Sequence, residues 1–143
     1  MGIQLEKEFP SIEEIPKEPT EVEILNFLQE KDIDWSYVDE IKRLTKLNDQ
    51  VIADWFNISV KTFRKYRAQQ KSLNQNLKER VVHIFVLLKH GIEIFGTPEA
   101  FRKWLHAPNF MLDNKPPLFY LDTITGIRFI NDRLTAMEYG DNV

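Results

Sequence analysis

The chain has 143 residues, 43% of them hydrophobic and 29% charged, which is enough for a folded core in one domain or two small ones. It has no cysteine, which excludes disulfides and thiolate metal sites and favours a reducing compartment, so we expect a cytoplasmic protein. No apolar run approaches the length of a membrane span, about 18 residues, and the N-terminus lacks a signal-peptide pattern, so we expect no membrane association.

Positive charge is concentrated in the middle of the chain. Residues 1–42 carry four basic and twelve acidic side chains, residues 43–92 carry ten and three, and residues 93–143 carry five and seven. Because the overall pI is near 5.7, attraction to nucleic acid must come from the middle third alone. The acidic N-terminal third would oppose it.

The first nineteen residues predict an extended arm, because three prolines lie among glutamates. Its scattered apolar residues leave two alternatives open, docking on the body or on a partner, or a mobile tail. Residues 20–92 then predict a helical domain. Thr20 caps a first helix, Asp32 to Asp34 breaks it, and a second helix from about Trp35 to Lys46 has one apolar face that can pack beneath the next helices.

The stretch Asn48 to Lys71 predicts a helix-turn-helix. Its apolar spacing packs one short helix across another, Asn48 and Ser59 can cap the two helices, and Asn57 can adopt the left-handed conformation of the turn. The second helix carries five basic residues and no acidic one. We therefore predict that DNA contacts come from Ser59, Val60, Lys61, Thr62, Arg64, Lys65 and Arg67. The alternative is an ordinary helical corner with a solvated basic face.

A helix of about twenty residues comes next, from Leu77 to Phe95. It is apolar on nearly every side, so it must be buried on nearly every side. Either a second subunit or the domains on each side of it can supply that cover. A homodimer is favoured, because in so small a protein a second subunit is a natural cover for the second face of the helix. It also suits DNA binding, since two-fold helix-turn-helix dimers place their recognition helices about 34 Å apart.

The C-terminal third, residues 93–143, predicts a small helical domain. Gly96 ends the long helix, Thr97, Pro98 and Glu99 begin the next, and Ala107-Pro108 stops it. An apolar, proline-containing loop with a short helical turn spans Asn109 to Thr123, and loops of this kind usually contact a partner. A last helix runs from about Thr125 to Tyr139. The whole chain is thus predicted to be all-α.

No catalytic constellation is present in the sequence. His83, His90 and His106 lie in different predicted elements without metal-ligand spacing, and Asp122 and Asp132 are explained by capping of the last helix and by exposure. There is no glycine-rich phosphate loop and no nucleophile elbow. We expect a protein that is not an enzyme and that has no cofactor and no metal.

From Ile94 onward the sequence resembles the toxin-binding domain of the Xre/MbcA/ParS family of bacterial antitoxins. The residues that carry the resemblance are FGTPEAFRKWLHAPNFMLDNKPPLFYLDT from Phe95 to Thr123, then Gly126 and LTAMEYG from Leu134 to Gly140. The family also has the preceding Xre-like helix-turn-helix, so the resemblance covers roughly residues 34 to 143. Asp113 and Asn114 replace glycines that are frequent in the family turn, and Lys115 replaces a frequent arginine.

The resemblance implies the antitoxin of a type II toxin-antitoxin pair. Its partners would be operator DNA and a RES-domain toxin that consumes NAD or transfers ADP-ribose, with a homodimer forming a larger complex with toxin. It implies toxin contact at Trp104, Asn109, Leu112, Lys115, Pro116, Tyr139 and Gly140, although Trp104 and Leu112 can instead be core. Lys115 cannot reproduce a bidentate arginine contact. The acidic tail, Asp141, Asn142 and Val143, can occupy the toxin's dinucleotide pocket as an anionic mimic.

Two other functions remain open. One is a stand-alone transcription regulator whose C-terminal domain dimerises or senses a ligand. The other is a toxin-binding scaffold that has lost operator recognition.

Overall fold

The computed structural model describes residues 12–140, and these residues form helices and connecting turns, as the sequence predicts. The helices are α1 (Glu21–Glu30), α2 (Trp35–Thr45), α3 (Asp49–Trp55), α4 (Val60–Gln69), α5 (Gln75–Phe95), α6 (Pro98–His106) and α7 (Ile124–Glu138). Three short 3-10 turns occupy Ile12–Glu14, Phe110–Leu112 and Pro117–Tyr120. The prediction of an all-α fold is confirmed.

Side-chain caps set the helix boundaries. Thr20 and Glu23 form a reciprocal capping box at the start of α1, and Thr97 accepts a hydrogen bond from the Ala100 N–H at the start of α6. Thr123 caps α7 by accepting from the Gly126 N–H, so Asp122, which the sequence suggested for this role, is not the cap. Each cap satisfies a backbone donor that would otherwise lack a partner.

The central helix α5 is covered by its own chain. Helices α1, α2, α6 and α7 and the turn Ile12–Glu14 pack around it, and its aliphatic and aromatic side chains from Val81 to Leu88 are buried, except for the half-buried Val86. The neighbouring segments of the same chain therefore cover α5. The sequence had left open whether these segments or a partner subunit would do so. The homodimer remains a prediction, but the burial of α5 no longer supports it.

One continuous core crosses the predicted domain boundary. Buried apolar side chains run from Ile15 to Leu134, and α5 contributes to the packing of both the helix-turn-helix part and the C-terminal part. Gly91 of α5 lies against the Phe101 ring of α6, where an added Cβ would come within 2.3 Å of the ring. The boundary between residues 92 and 93 thus falls inside α5, and the division into two domains remains a prediction.

The described part of the N-terminal arm is docked on the body. Ile15 is buried against α5, and the Lys89 ammonium donates to the Ile15 carbonyl at 2.5 Å. An extended conformation was expected here, but residues 12–14 form a 3-10 turn because its i+3 hydrogen bond brings Ile15 back onto the core. Residues 1–11 lie outside the described residues.

Two further features belong to α5. His83 and His90 both lie on this helix, so the expectation that the three histidines occupy different elements is wrong for these two.

Between residues 12 and 140 no single helix is long and apolar enough to cross a membrane, and the pair α5 and α6 reaches that length and composition only across a bend of 106°.

Candidate functional site

The helix-turn-helix geometry fixes α4 against the rest of the chain. Asn57 has φ 56°, and the Ile58 N–H donates to the Ala53 carbonyl at 3.1 Å, so the turn closes as the sequence predicts. Phe63 is fully buried and meets the Trp35 ring edge-on at 5.5 Å. The Trp35 indole N–H also donates to the Lys71 carbonyl at 2.7 Å, which anchors the far end of α4.

The outer face of α4 presents cations to solvent. Lys61, Arg64 and Lys65 are exposed on the side opposite Phe63, as the helical spacing predicts. Ser59 accepts a hydrogen bond from the Thr62 N–H at 3.0 Å, and the two hydroxyls lie 2.9 Å apart, so both side chains serve the cap. Val60 is half-buried.

A carboxylate from α3 collects cations from two other helices. Asp49 receives the Lys42 ammonium at 2.6 Å, the Arg64 Nε at 3.0 Å, and the Arg67 guanidinium at 3.3 and 3.4 Å. The hydrogen bond from Lys42, followed by those from the two arginines, holds the pKa of Asp49 well below its usual range. We call these four residues the Asp49 cluster.

The Asp49 cluster changes what the basic residues of α4 can do. Arg67 is turned towards Asp49 and lies 5.3 Å from the Phe63 ring centre, with only 30% of its side chain exposed. Arg64 gives its Nε to Asp49, but 62% of its side chain remains exposed. The sequence did not identify Asp49 or Lys42, because the cluster forms only when folding brings α2, α3 and α4 together.

The C-terminal loop is closed into a compact turn. Asn109 and Lys115 form an antiparallel bridge, and the Asn109 side-chain oxygen accepts from the Met111 N–H at 2.9 Å. Asp113 and Asn114 have φ 54° and 60°, so they adopt the left-handed geometry that the sequence analysis expected this turn to keep. Asn109 therefore shapes the turn with its own polar atoms.

Large apolar side chains project from this loop into solvent. Phe110 is 84% exposed, Met111 50% and Phe119 56%. The Lys115 ammonium lies 4.4 Å from the Phe119 ring centre, which places a positive charge beside the aromatic surface. We call Phe110, Met111, Lys115 and Phe119 the loop patch. The sequence indicated that this loop contacts a partner, but it did not select the three apolar residues.

Of the predicted toxin contacts, Leu112 belongs to the core and Trp104 packs against it. Leu112 is only 3% exposed. Trp104 is half-buried and stacks on Phe101 with ring centres 5.9 Å apart, beside Phe95 at 5.5 Å. Both residues support the loop and α6 from within, which is the alternative that the sequence left open for them.

The remaining predicted toxin contacts fall at opposite ends of α7. Pro116 lines a groove with Thr123 and Gly126 at the start of the helix, whereas Tyr139, 75% exposed, and Gly140 come after its end. The fifteen residues of α7 span about 22 Å at the rise of an α-helix. Asp141, Asn142 and Val143 lie outside the described residues, so the predicted tail contact remains a prediction.

The helix-turn-helix and the C-terminal loop are joined by one backbone carbonyl. The Asp122 carbonyl accepts from the Arg80 guanidinium at 2.6 Å and from the Asn57 side-chain amide at 3.4 Å. Arg80 also donates to the Trp55 carbonyl at 3.1 Å. The turn between α3 and α4 is therefore fixed against the segment that precedes α7.

Two family models match the chain. The antitoxin Xre-like helix-turn-helix domain matches residues 26–85. The antitoxin Xre/MbcA/ParS C-terminal toxin-binding domain matches residues 90–140. No curated protein matches the chain. The first match ends and the second begins within α5, and together they include both the exposed face of α4 and the loop patch.

Proposed function

Because the chain belongs to the Xre/MbcA/ParS family of antitoxins, we propose that it neutralises a RES-domain toxin by covering the toxin's active site, and that it represses its own operon. In this proposal the chain performs both activities by binding another macromolecule, and its own side chains transform no substrate. The expected toxin is one that consumes NAD or transfers ADP-ribose. The expected assembly is a homodimer bound to toxin in the cytoplasm.

The loop patch is the observation that carries the toxin-binding proposal. Three large apolar side chains exposed on one short loop are unusual for a surface without a partner, and aromatic residues and methionine are enriched at protein interfaces. Tyr139 and Gly140 lie about 22 Å from the start of α7. A partner surface of standard size, about 800 Å² on each side, can reach from the loop patch to that end.

The exposed cations of α4 support operator binding. Lys61 and Lys65 have no ion pair with other residues between 12 and 140, so they are available to phosphates. Arg64 combines an exposed guanidinium with a fixed Nε, which orients it for a base edge. A toxin-binding scaffold without operator recognition is the alternative, and the acidic N-terminal third favours it.

A homodimer is proposed on the symmetry of operators alone. Two-fold helix-turn-helix proteins bind half-sites about 34 Å apart, so one copy of α4 reads one half-site. Sedimentation equilibrium of the purified chain, with and without an operator fragment, distinguishes a dimer from a monomer. A monomer in both conditions would contradict this part of the proposal and leave toxin binding untouched.

Co-expression with the product of the neighbouring gene tests toxin neutralisation. Wild-type chain should co-purify with that product and preserve cellular NAD. Phe110→Asp should lose both effects, because a carboxylate would be buried without a partner. Leu25→Asp is the matched control, since Leu25 is also an exposed apolar residue, 56% accessible, but lies on α1. Equal loss, or no loss, in the two variants would contradict the assignment of the loop patch.

Deleting residues 140–143 distinguishes two mechanisms of inhibition: a tail that fills the toxin's pocket, and a surface that only covers the active site. If the acidic tail occupies the toxin's dinucleotide pocket, the truncated chain should still co-purify with toxin while NAD falls. If inhibition is unchanged, the tail is not required, and the cover supplied by the loop patch is sufficient.

Operator affinity measured against salt tests DNA binding. Specific binding should weaken steeply as salt rises, and Lys65→Ala should reduce the slope of log affinity against log salt by about one. Arg64→Ala should cost about 1–3 kcal/mol if it reads a base edge. Lys103→Ala, an exposed change on α6, is the matched control. The absence of any shifted complex with wild-type chain would favour the scaffold.

A further inference from the structure

A histidine and two carboxylates meet at the C-terminal end of α7. Glu18 comes from the segment before α1, His90 from α5, and Glu138 from the last turn of α7. One ligand atom from each lies within 4.8 Å of the other two. None of the three belongs to the proposed DNA or toxin surfaces. No motif in the sequence indicates such a site, because its members are 72 and 48 residues apart.

The His90 ring is buried and contacts the side chain of Asn131. It is 5% exposed, and its Nδ1 lies 2.9 Å from the Asn131 side-chain oxygen. Because an amide oxygen only accepts, Nδ1 donates this hydrogen bond, and in the neutral ring Nε2 then has a lone pair. Metal-binding histidines are oriented by the same kind of second hydrogen bond.

The free nitrogen of His90 faces another acceptor. Nε2 is fully buried and has no hydrogen-bond partner within residues 12–140, and the nearest Glu138 carboxylate oxygen is 3.3 Å away. In the neutral ring, the Nε2 lone pair and the Glu138 carboxylate oxygen therefore point at the same small space, and the Glu18 carboxylate lies beside them. Such an arrangement is unfavourable unless a cation lies between them, either a proton that makes His90 and Glu138 an ion pair or a metal ion that both bind.

We propose that Glu18, His90 and Glu138 bind a divalent transition-metal ion of the Zn²⁺ type. Two ligands of tetrahedral zinc at bond lengths of about 2.0–2.2 Å lie about 3.4 Å apart. The separation of His90 Nε2 and Glu138 Oε2, 3.3 Å, matches that spacing. An imidazole with carboxylates suits zinc better than magnesium or calcium, which prefer oxygen ligands alone. Water completes the coordination.

The neighbouring lysine does not replace the metal. Lys89 precedes His90 on α5, but its ammonium donates to the Ile15 carbonyl at 2.5 Å. A bound ion would join the segment before α1 to the end of α7, directly before Tyr139 and Gly140. The metal thus stabilises the part of the chain from which the C-terminal tail emerges.

Isothermal titration of the full chain with Zn²⁺, at pH 7.5 and without a tag, tests the site. Wild-type chain should bind one ion and melt at a higher temperature with Zn²⁺ than without it. Glu18→Gln and Glu138→Gln should each lower Zn²⁺ affinity at least tenfold and reduce the melting shift. Both residues are exposed, so these variants should fold. Asp132→Asn is the matched control, because it removes an exposed carboxylate from α7 outside the site.

Three results would overturn the proposal. The first is no Zn²⁺ binding by wild-type chain. The second is equal binding by Glu138→Gln and Asp132→Asn, which would show adventitious surface binding. The third is Mg²⁺ binding of the same strength at the same residues. Visible spectra of the chain loaded with Co²⁺ provide an independent readout. An intense, tetrahedral-type spectrum in wild type that is lost in Glu18→Gln supports the site. A spectrum that is unchanged in that variant refutes it.

Discussion

Replacing Asp49 by Asn tests whether the Asp49 cluster stabilises the helix-turn-helix. Removing one partner from a fully buried ion pair costs about 3–5 kcal/mol, whereas an exposed pair contributes about 0–1 kcal/mol. Asp49 is 10% exposed, but Lys42 and Arg64 are 40% and 62% exposed and can turn to water once the carboxylate is lost. We therefore expect a loss between these limits, about 2 kcal/mol.

The contribution of Asp49 also has a defined pH dependence. The pKa of Asp49 is lowered in the folded chain, chiefly by the hydrogen bond from Lys42, and is near 3.9 when the chain is unfolded. A lowered folded pKa gives stability that is fully present above the unfolded value and is lost as the pH falls towards the folded value. The difference in stability between wild type and Asp49→Asn should therefore be constant near pH 7 and shrink below about pH 4.

Thermal and urea unfolding of both proteins measure these differences. A loss of about 2 kcal/mol should lower the melting temperature of a chain of this length by roughly 6–10 °C. Asp54→Asn is the matched control on the same helix, because Asp54 is exposed and receives a hydrogen bond from Gln50 at 2.9 Å. Its effect should stay within about 0.5 kcal/mol. Equal effects of the two substitutions, or a difference that persists unchanged to pH 3, would refute the role given to the cluster.

Two further changes are expected to affect stability. Gly126→Ala should destabilise the chain by about 1–3 kcal/mol in urea unfolding, because the new Cβ would lie 1.8 Å from the Tyr120 carbonyl oxygen. The control is Thr125→Ala, at the exposed position before it, which should have little effect. Equal effects of the two substitutions would contradict the close approach. His83 has a pKa lowered by burial and then by the charge of Arg128, so it favours the neutral form and its contribution is lost as the pH falls below about 6.5. The stability of His83→Gln should therefore vary less than that of wild type between pH 7 and 5, and parallel profiles would contradict this explanation.

The sequence predicted the local structure well because local signals are carried by neighbouring residues. Asn48, Asn57 and Ser59 have the caps and the left-handed turn expected of them, since each geometry depends on residues two to five positions away. The motifs of the C-terminal third identified the toxin-binding domain that the family model also matches. Exposed Lys61 and Lys65 follow from helical periodicity alone.

Long-range contacts explain what the sequence missed. The hydrophobic pattern of α5 correctly predicts that nearly all of its sides are buried, but burial does not specify which surface provides the cover, and here α7 and the other neighbouring helices of the same chain do so. Charge counting along α4 likewise found no acidic residue, whereas folding brings Asp49 against Arg64 and Arg67. A count of the basic residues of α4 from sequence therefore overestimates the positive charge that is free to bind a partner, because Asp49 pairs with two of them.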